Sequence, residues 1–264
     1  MNNTGNNIQR PGKLIRFVIG FTLIFMIYYL IMSAAAPLKR MADLKAQFMT
    51  SDPDKEQPDT RLFTDSTYLH LLKERGFLQS GTAMAATDSV CLSLIIPDSM
   101  INLEISGVVV HSVKTGNIRA GRMLIKGNDY VISSLLSEPL NIVKDYATIP
   151  KEPIMVRIAP KDTSEYQPDI LPDTSNTKPV NFILKTDKGI NIYIFQEEPA
   201  KGNRFKIFFF NLSDRMRYFA RSLARIVRFK VPEYHPAIRI RIPRADAKII
   251  YRALPDKGQI TVYR

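Results

Sequence analysis

The sequence predicts a mainly β, α+β domain carried behind one N-terminal membrane-crossing helix. Three observations predict it. Residues 17–36, FVIGFTLIFMIYYLIMSAAA, form an uncharged apolar run, and at 1.5 Å per residue such a run spans the roughly 30 Å hydrocarbon core of a bilayer. From Ser89 onward the hydrophobic period changes to alternation, the signature of half-buried strands. One basic, helix-periodic segment, residues 211–230, interrupts that alternation. The expected organisation is a short basic tail over residues 1–16, the membrane helix or signal anchor over 17–36, a polar stalk over 37–60, and a β-rich extracytoplasmic domain over 61–264.

The membrane segment has two readings. Ser33-Ala34-Ala35-Ala36 resembles a small-residue cleavage site, but the apolar run exceeds the usual 7–15 residues of a secretory signal, roughly speaking, and its length favours a retained anchor. Arg10, Lys13 and Arg16 precede the span and Lys39, Arg40 and Lys45 follow it, so the positive-inside count does not choose an orientation. A short basic tail before a signal-like run is the usual arrangement of a type II anchor. The expectation is a single pass in the inner or cytoplasmic membrane, with the bulk of the chain outside the cytoplasm.

Residues 37–60 carry Pro37, Pro53 and Pro58 among alternating charges, which reads as a juxtamembrane stalk. Asp65 or Ser66 then offers a cap for a short helix through TYLHLLKER, with Leu69 and Leu72 on its apolar face, His70 on its surface and Gly76 as its end. Strand candidates follow: VCLSLII, INLEISGVVVHS, NIRAGRMLI, PIMVRIA, VNFILKT, INIYIF and FKIFFF. In the second of these Ile101, Leu103 and Ile105 alternate with Asn102, Glu104 and Ser106. The proline-rich stretch over 160–179 is expected to be a surface excursion.

The net charge of +12 is not spread along the chain. Residues 1–200 hold 21 basic and 21 acidic side chains, whereas residues 201–264 hold 16 against 4. The excess therefore belongs to the C-terminal quarter. In NLSDRMRYFARSLARIVRFK, Asn211 or Ser213 offers an N-cap, and Met216, Phe219, Leu223 and Ile226 share one face. Arg217, Arg221, Arg225 and Arg228 share another, a cationic stripe able to meet lipid phosphates, an anionic polymer or a partner's carboxylates. The aromatic interleaving of a single-strand binder is lacking, so no nucleic acid is expected as a partner.

Candidate chemistry is sparse. Cys91, the single cysteine, sits in an apolar stretch and reads as a small buried hydrophobe. His111 and Ser112 are neighbours on a strand and point to opposite faces, so they do not form a base and nucleophile pair. Three scattered histidines and one cysteine offer no metal-ligand spacing, and no phosphate-cradling loop or nucleophile elbow occurs, so neither metal nor cofactor is expected. Glu197 and Glu198 are paired carboxylates that only a fold can bring into use.

The C-terminal stretch IRIPRADAKIIYRALPDKGQITVY resembles the end of the L,D-transpeptidase catalytic domain. Ile240, Arg241 and Ile242 match that family's Ile-Arg-Leu step, Asp246 and Ala247 its Asp-Ala, Tyr251 its helical tyrosine, and Gly258 the opening of its last strand. The resemblance implies the family's β-fold over these roughly 25 residues and a peptidoglycan context. The family's Ser-His-Gly-Cys positions are occupied here by Pro236, Ala237, Ile238 and Arg239, and a slip bringing His235 into register puts Ala237 where the cysteine belongs. Neither register keeps the nucleophile, since arginine and alanine cannot form a thioester. The reading implied is a degenerate, membrane-anchored relative with no catalytic residue, which binds cell-wall material or an envelope protein partner; the binding candidates are Arg217, Arg221, Arg225 and Arg228, and the degenerate family site is Pro236, Ala237, Ile238, Arg239 and Arg241. Two alternatives stay open: an active wall transferase or hydrolase with a rearranged site, and a structural subunit of an envelope complex.

Overall fold

A computed structural model describes residues 13–49, 65–151, 179–198 and 204–264. The chain divides into two compact units, one of Met1–Ala42 with Arg215–Tyr234 and one of Asp43–Asp214 with His235–Arg264. Among the described residues there are nine strands and six helices, so the architecture is α+β with an apolar N-terminal helix rather than mainly β.

The larger unit is built on one mixed sheet of order β3-β2-β1-β9-β5-β6-β7-β8-β4. Strands β1 (Val90–Ile95), β2 (Met100–Ile105) and β3 (Val108–Lys114) form an antiparallel meander. Its second turn places Ser106 and Gly107 at positive φ, the backbone a two-residue hairpin needs. Strand β4 (Asn117–Ala120) follows, then the short helices α3 (Arg122–Lys126) and α4 (Asp129–Leu136). Strands β5 (Leu140–Ala147), β6 (Asn181–Thr186) and β7 (Asn191–Gln196) are antiparallel neighbours, and Gly189 turns the β6–β7 hairpin at positive φ. After helix α5 (Arg204–Val227) come β8 (Ala237–Ile242), α6 (Arg244–Ala253) and β9 (Gln259–Tyr263). Strand β8 pairs in parallel with β7, and β9 in parallel with β1. Strand β5 joins the halves: Leu140 and Asn141 pair with β9, whereas Ile142 to Ala147 pair with β6 across a register irregularity.

The core follows from the strand patterns. Leu92, Leu94, Ile101, Leu103, Ile192, Ile194, Ile238, Ile240 and Ile242 are buried. Phe182, Ile183 and Leu184 are buried in succession, as a strand covered on both faces requires. His111 of β3, near one end of the strand order, hydrogen-bonds Asp246 of α6 at 3.1 Å. The sheet therefore bends enough for its first strand to meet the helix that links β8 to β9.

Several expectations need correction. Helix α2 (Ser66–Ala85) starts at the expected cap, where Asp65 accepts from the Thr67 N–H at 2.8 Å, but it runs through Gly76. A Cβ at position 76 would lie 3.0 Å from the Ser133 carbonyl oxygen of α4, so this glycine serves a close helix crossing instead of a helix end. Only the first four residues of NIRAGRMLI are strand, because Gly121 starts α3. The segment FKIFFF is the opening of α5 and not a strand. Phe205, Phe208 and Phe209 have i, i+3, i+4 spacing that continues into Leu212 and Met216, and the helical period prevails over the alternation of Phe205, Ile207 and Phe209. Asn211 and Ser213 therefore lie inside the helix and do not cap it. Strand β5 went unread. The segment PIMVRIA, and the excursion over 160–179 except its last residue, lie outside the described residues.

In the smaller unit, residues up to Ala42 of helix α1 (Lys13–Met49) accompany the C-terminal half of α5. Helix α1 includes the apolar run and passes through Pro37, so the first part of the segment read as a stalk is helical, while residues 50–60 lie outside the described residues. It is the one described helix long and apolar enough to cross a membrane. The Tyr29 ring lies 5.6 Å from Phe219 and the Tyr28 ring 6.1 Å from Phe229. Arg225 and Glu233 pair at 2.7 Å, and the Tyr218 hydroxyl donates to the Glu233 carbonyl at 3.3 Å.

Candidate functional site

Strand β8 reads Ala-Ile-Arg-Ile-Arg-Ile, and pleating divides it cleanly. Ile238, Ile240 and Ile242 enter the core, while Arg239 and Arg241 stand exposed on the other face. The parallel neighbour β7 sets Tyr193 beside Arg239 and Phe195 beside Arg241. On the outer side, edge strand β4 sets Arg119 beside Arg239 and Asn117 beside Arg241. The Arg239 guanidinium lies 5.8 Å from the centroid of the Tyr193 ring, which stacks on Phe195 at 6.2 Å and 18°. The result is a cationic face with an aromatic floor. Arg119 and Arg239 are like charges directly opposite one another, an arrangement that costs stability unless an anion sits between them.

The face continues across β6 and β5, where the ammonium of Lys185 lies 4.9 Å and that of Lys144 5.3 Å from the Tyr146 ring centroid. Asp214, on the N-terminal half of α5, is buried there. One of its oxygens is 3.1 Å from the Lys185 ammonium, and the other accepts from the Tyr193 hydroxyl at 2.9 Å. Burial, with Asp214 beside it, pushes the Tyr193 phenol well above its ordinary value, so the group stays a neutral donor. Lys185 is thereby engaged, leaving Arg119, Arg239 and Arg241 as the exposed cations nearest the end of the sheet.

The segment over 236–239, which the resemblance aligned with a Ser-His-Gly-Cys motif, lies at the entry to this face. The Pro236 carbonyl accepts from the Asn191 N–H at 2.9 Å, and the Ala237 carbonyl accepts from the Gly121 N–H at 2.8 Å. Ile238 is core, and Arg239 projects outward. His235 is tied to the β6–β7 turn, its Nδ1 at 3.1 Å from the Gly189 carbonyl oxygen. The remaining motif residues serve the fold. Tyr251 packs on Phe182 at 5.1 Å between ring centroids and donates to Asp145 at 3.0 Å. Burial raises its phenol as well. Gly258 closes a turn in which a Cβ would come 3.2 Å from the Pro255 carbonyl oxygen.

The other candidates separate. Cys91 is buried on β1, and burial pushes its thiol up, away from the reactive thiolate. The Ser112 hydroxyl donates to Asn102 at 2.7 Å, on the face opposite the His111–Asp246 pair. Sequence reasoning missed that pair, whose members are 135 residues apart; the Asp-Ala motif had drawn notice to Asp246 alone. Glu198 accepts from the Arg244 N–H at 2.8 Å and caps α6, whereas the Glu197 carboxylate lies over Gly116, 2.5 Å from where a Cβ would stand. The two carboxylates thus face different neighbours. His70 is exposed on α2, near Glu74 and the Tyr263 hydroxyl. Among the described residues, no three His, Cys, Asp or Glu side chains converge as a metal site would require.

The α5 stripe belongs to the smaller unit. Arg221 and Arg228 are exposed, and Arg225 is engaged by Glu233. Met216 and Phe219, expected to share the core-facing side with Leu223 and Ile226, are exposed, while Ile226 is buried. No protein-family model matches the chain, and no curated protein is similar to it.

Proposed function

We propose that the chain is a single-pass, membrane-anchored protein of the cell envelope whose larger unit is a non-catalytic relative of the L,D-transpeptidase domain and binds cell-wall material through the Arg119, Arg239 and Arg241 face. The reading rests on one observation: in the register of the resemblance, Arg239 stands where that family keeps its nucleophile, exposed and beside a second and a third arginine. A guanidinium cannot carry an acyl group, but a set of them over tyrosine and phenylalanine rings suits a carboxylate on a flexible chain. Stem peptides of peptidoglycan end in carboxylates, which makes them the natural ligand class. The strand, helix and strand order of β8, α6 and β9 is compatible with the resemblance. Helix α1 supplies the anchor, with the larger unit outside the cytoplasm.

The test uses the full chain in detergent or nanodiscs. Wild type is expected to co-sediment with purified wall sacculi and to release no product from wall tetrapeptide fragments. The double variant Arg239→Glu, Arg241→Glu is expected to weaken co-sedimentation about tenfold or more, because each lost charge-assisted contact costs about 1.5–3 kcal/mol. Product release overturns the non-catalytic reading. Equal binding by the variant moves the ligand off this face. A C-terminal reporter active only in the cytoplasm removes the wall context altogether.

One observation favours the rearranged-site enzyme, namely the hydrogen bond between His111 and Asp246, since a carboxylate-oriented imidazole is a usable base. Turnover by wild type that disappears in His111→Gln would establish it.

A further inference from the structure

Helix α5 faces the wrong way for a helix of a soluble domain. On a helical projection Phe205, Phe208, Phe209, Leu212, Met216 and Phe219 occupy one continuous strip about 100° wide. Such a strip normally seals a core. Here it is the exposed side: Phe205 is 79% exposed, Phe208 59%, Phe209 61% and Met216 55%. Between Phe205 and Phe219 the buried position is Asp214, 7% exposed, half a helical turn of angle away from the strip and held by Lys185 and Tyr193. The helix thus binds its own sheet through a carboxylate and turns its phenylalanines outward. A contiguous exposed apolar surface of this extent marks an interaction site, because scattered single residues do not align for four turns.

What covers the strip follows from two further observations. The same helix, at Phe219, touches Tyr29 of the apolar helix α1 at 5.6 Å. Tyr29 lies seven residues before Ala36, the end of the apolar run, which is about 10 Å along the helix axis and matches the depth, about 5–10 Å, to which an interfacial helix sinks its apolar face. The borders of the strip are cationic: Lys206 on one side and Arg215 on the other are exposed, the placement that lets long basic side chains reach phosphates from a helix lying in the headgroup plane. The more distant Arg221 and Arg228 add positive potential on the polar side.

We infer that α5 is an in-plane membrane helix, which lays its phenylalanine strip into the surface of a bilayer containing anionic lipid. The inference rests on the proposed insertion of α1 and extends it: the chain would hold the membrane by two elements, one crossing and one lying flat.

The test reconstitutes the unaltered full chain into vesicles of phosphatidylcholine and phosphatidylglycerol doped with a phospholipid that carries a photoactivatable group on its acyl chain. Peptides cross-linked on illumination are then mapped by mass spectrometry. Cross-links on the segment from Phe205 to Phe219, in addition to those on α1, are the expected result, with a lower yield on α5 when phosphatidylglycerol is omitted. Cross-links on α1 alone overturn the in-plane helix while leaving the anchor intact. Cross-links on neither helix overturn the anchor, and the inference with it. As a check by position, Leu212→Cys and Arg221→Cys in a Cys91→Ser background, each labelled with a fluorophore, are compared for quenching by brominated lipid. Quenching at 212 and not at 221 is expected. Equal quenching at both sites contradicts a helix lying flat, and no quenching at 212 assigns the strip to a protein partner.

Discussion

The arginines of β8 and those of α5 carry the same charge in the same quarter of the chain, yet their surroundings make them different tools. Arg239 and Arg241 alternate with Ile238, Ile240 and Ile242, so core burial fixes the direction in which each guanidinium leaves the sheet. Strands on both sides hold the backbone, and Tyr193 supports one guanidinium from below. Arg221 extends from the surface of α5, Arg228 stands in the turn just past its end, and Arg225 already has Glu233. A cation whose direction is set by packing loses less conformational freedom on binding a ligand than one on a free stem. The comparison teaches that charge density by sequence does not rank binding sites, whereas burial of the intervening residues does. The sheet arginines suit a defined anion, and the helix arginines suit a diffuse one.

The comparison can be broken first where it depends on packing. Ile240→Ala removes a fully buried side chain between the two arginines, and a loss of about 2–5 kcal/mol is expected in thermal or denaturant unfolding of the full chain. An unfolding midpoint unchanged from wild type would mean that β8 is not held by its core face. The next largest effect is expected from Asp214→Ala, which strands the Lys185 ammonium and the Tyr193 hydroxyl in a partly buried place. A loss of about 1–3 kcal/mol is expected, and Asp214→Ala, Lys185→Met should recover part of it.

A pH scan sharpens the same region. The Tyr193 and Tyr251 phenols are raised by burial and by adjacent carboxylates, so the folded state favours their neutral form. Their contribution is complete below the unfolded phenol value of about 10 and is lost as pH rises above it. Stability should therefore fall above about pH 10, and Tyr193→Phe should flatten that fall. The smallest effect concerns Arg119. Relieving its opposition to Arg239 with Arg119→Ala should raise stability by a few tenths of a kcal/mol at low salt, while weakening sacculus binding if the face is the site. A loss of stability instead would show that the opposed guanidiniums are stacked and not repelling.

The sequence carried a good deal of this. The strands β1, β6 and β7 lie where alternation and β-branched residues placed them, the single run read over INLEISGVVVHS is folded into the two strands β2 and β3, and the Asp65 cap was readable from its position before the first helical turn. Strand β5 escaped because its burial alternates only over Leu140, Asn141, Ile142 and Val143 before it turns irregular. The face around Arg239 was half legible: the motif pointed to β8, but Tyr193, Phe195 and Arg119 reach it from positions 44 to 120 residues away in sequence, through pairings that no local pattern encodes.

Local properties of the chain were enough to place the apolar α1, the basic C-terminal quarter and the lack of a thiol beside Arg241, because hydropathy, charge and residue type are read within a few neighbours. Long-range packing settled the rest. It put the Gly76 helix crossing against Ser133, joined His111 to Asp246, and turned the phenylalanines of FKIFFF outward on a helix held from behind by Asp214. Which side of an element is buried is a property of what lies against it, and the partners of α5 are far away in sequence.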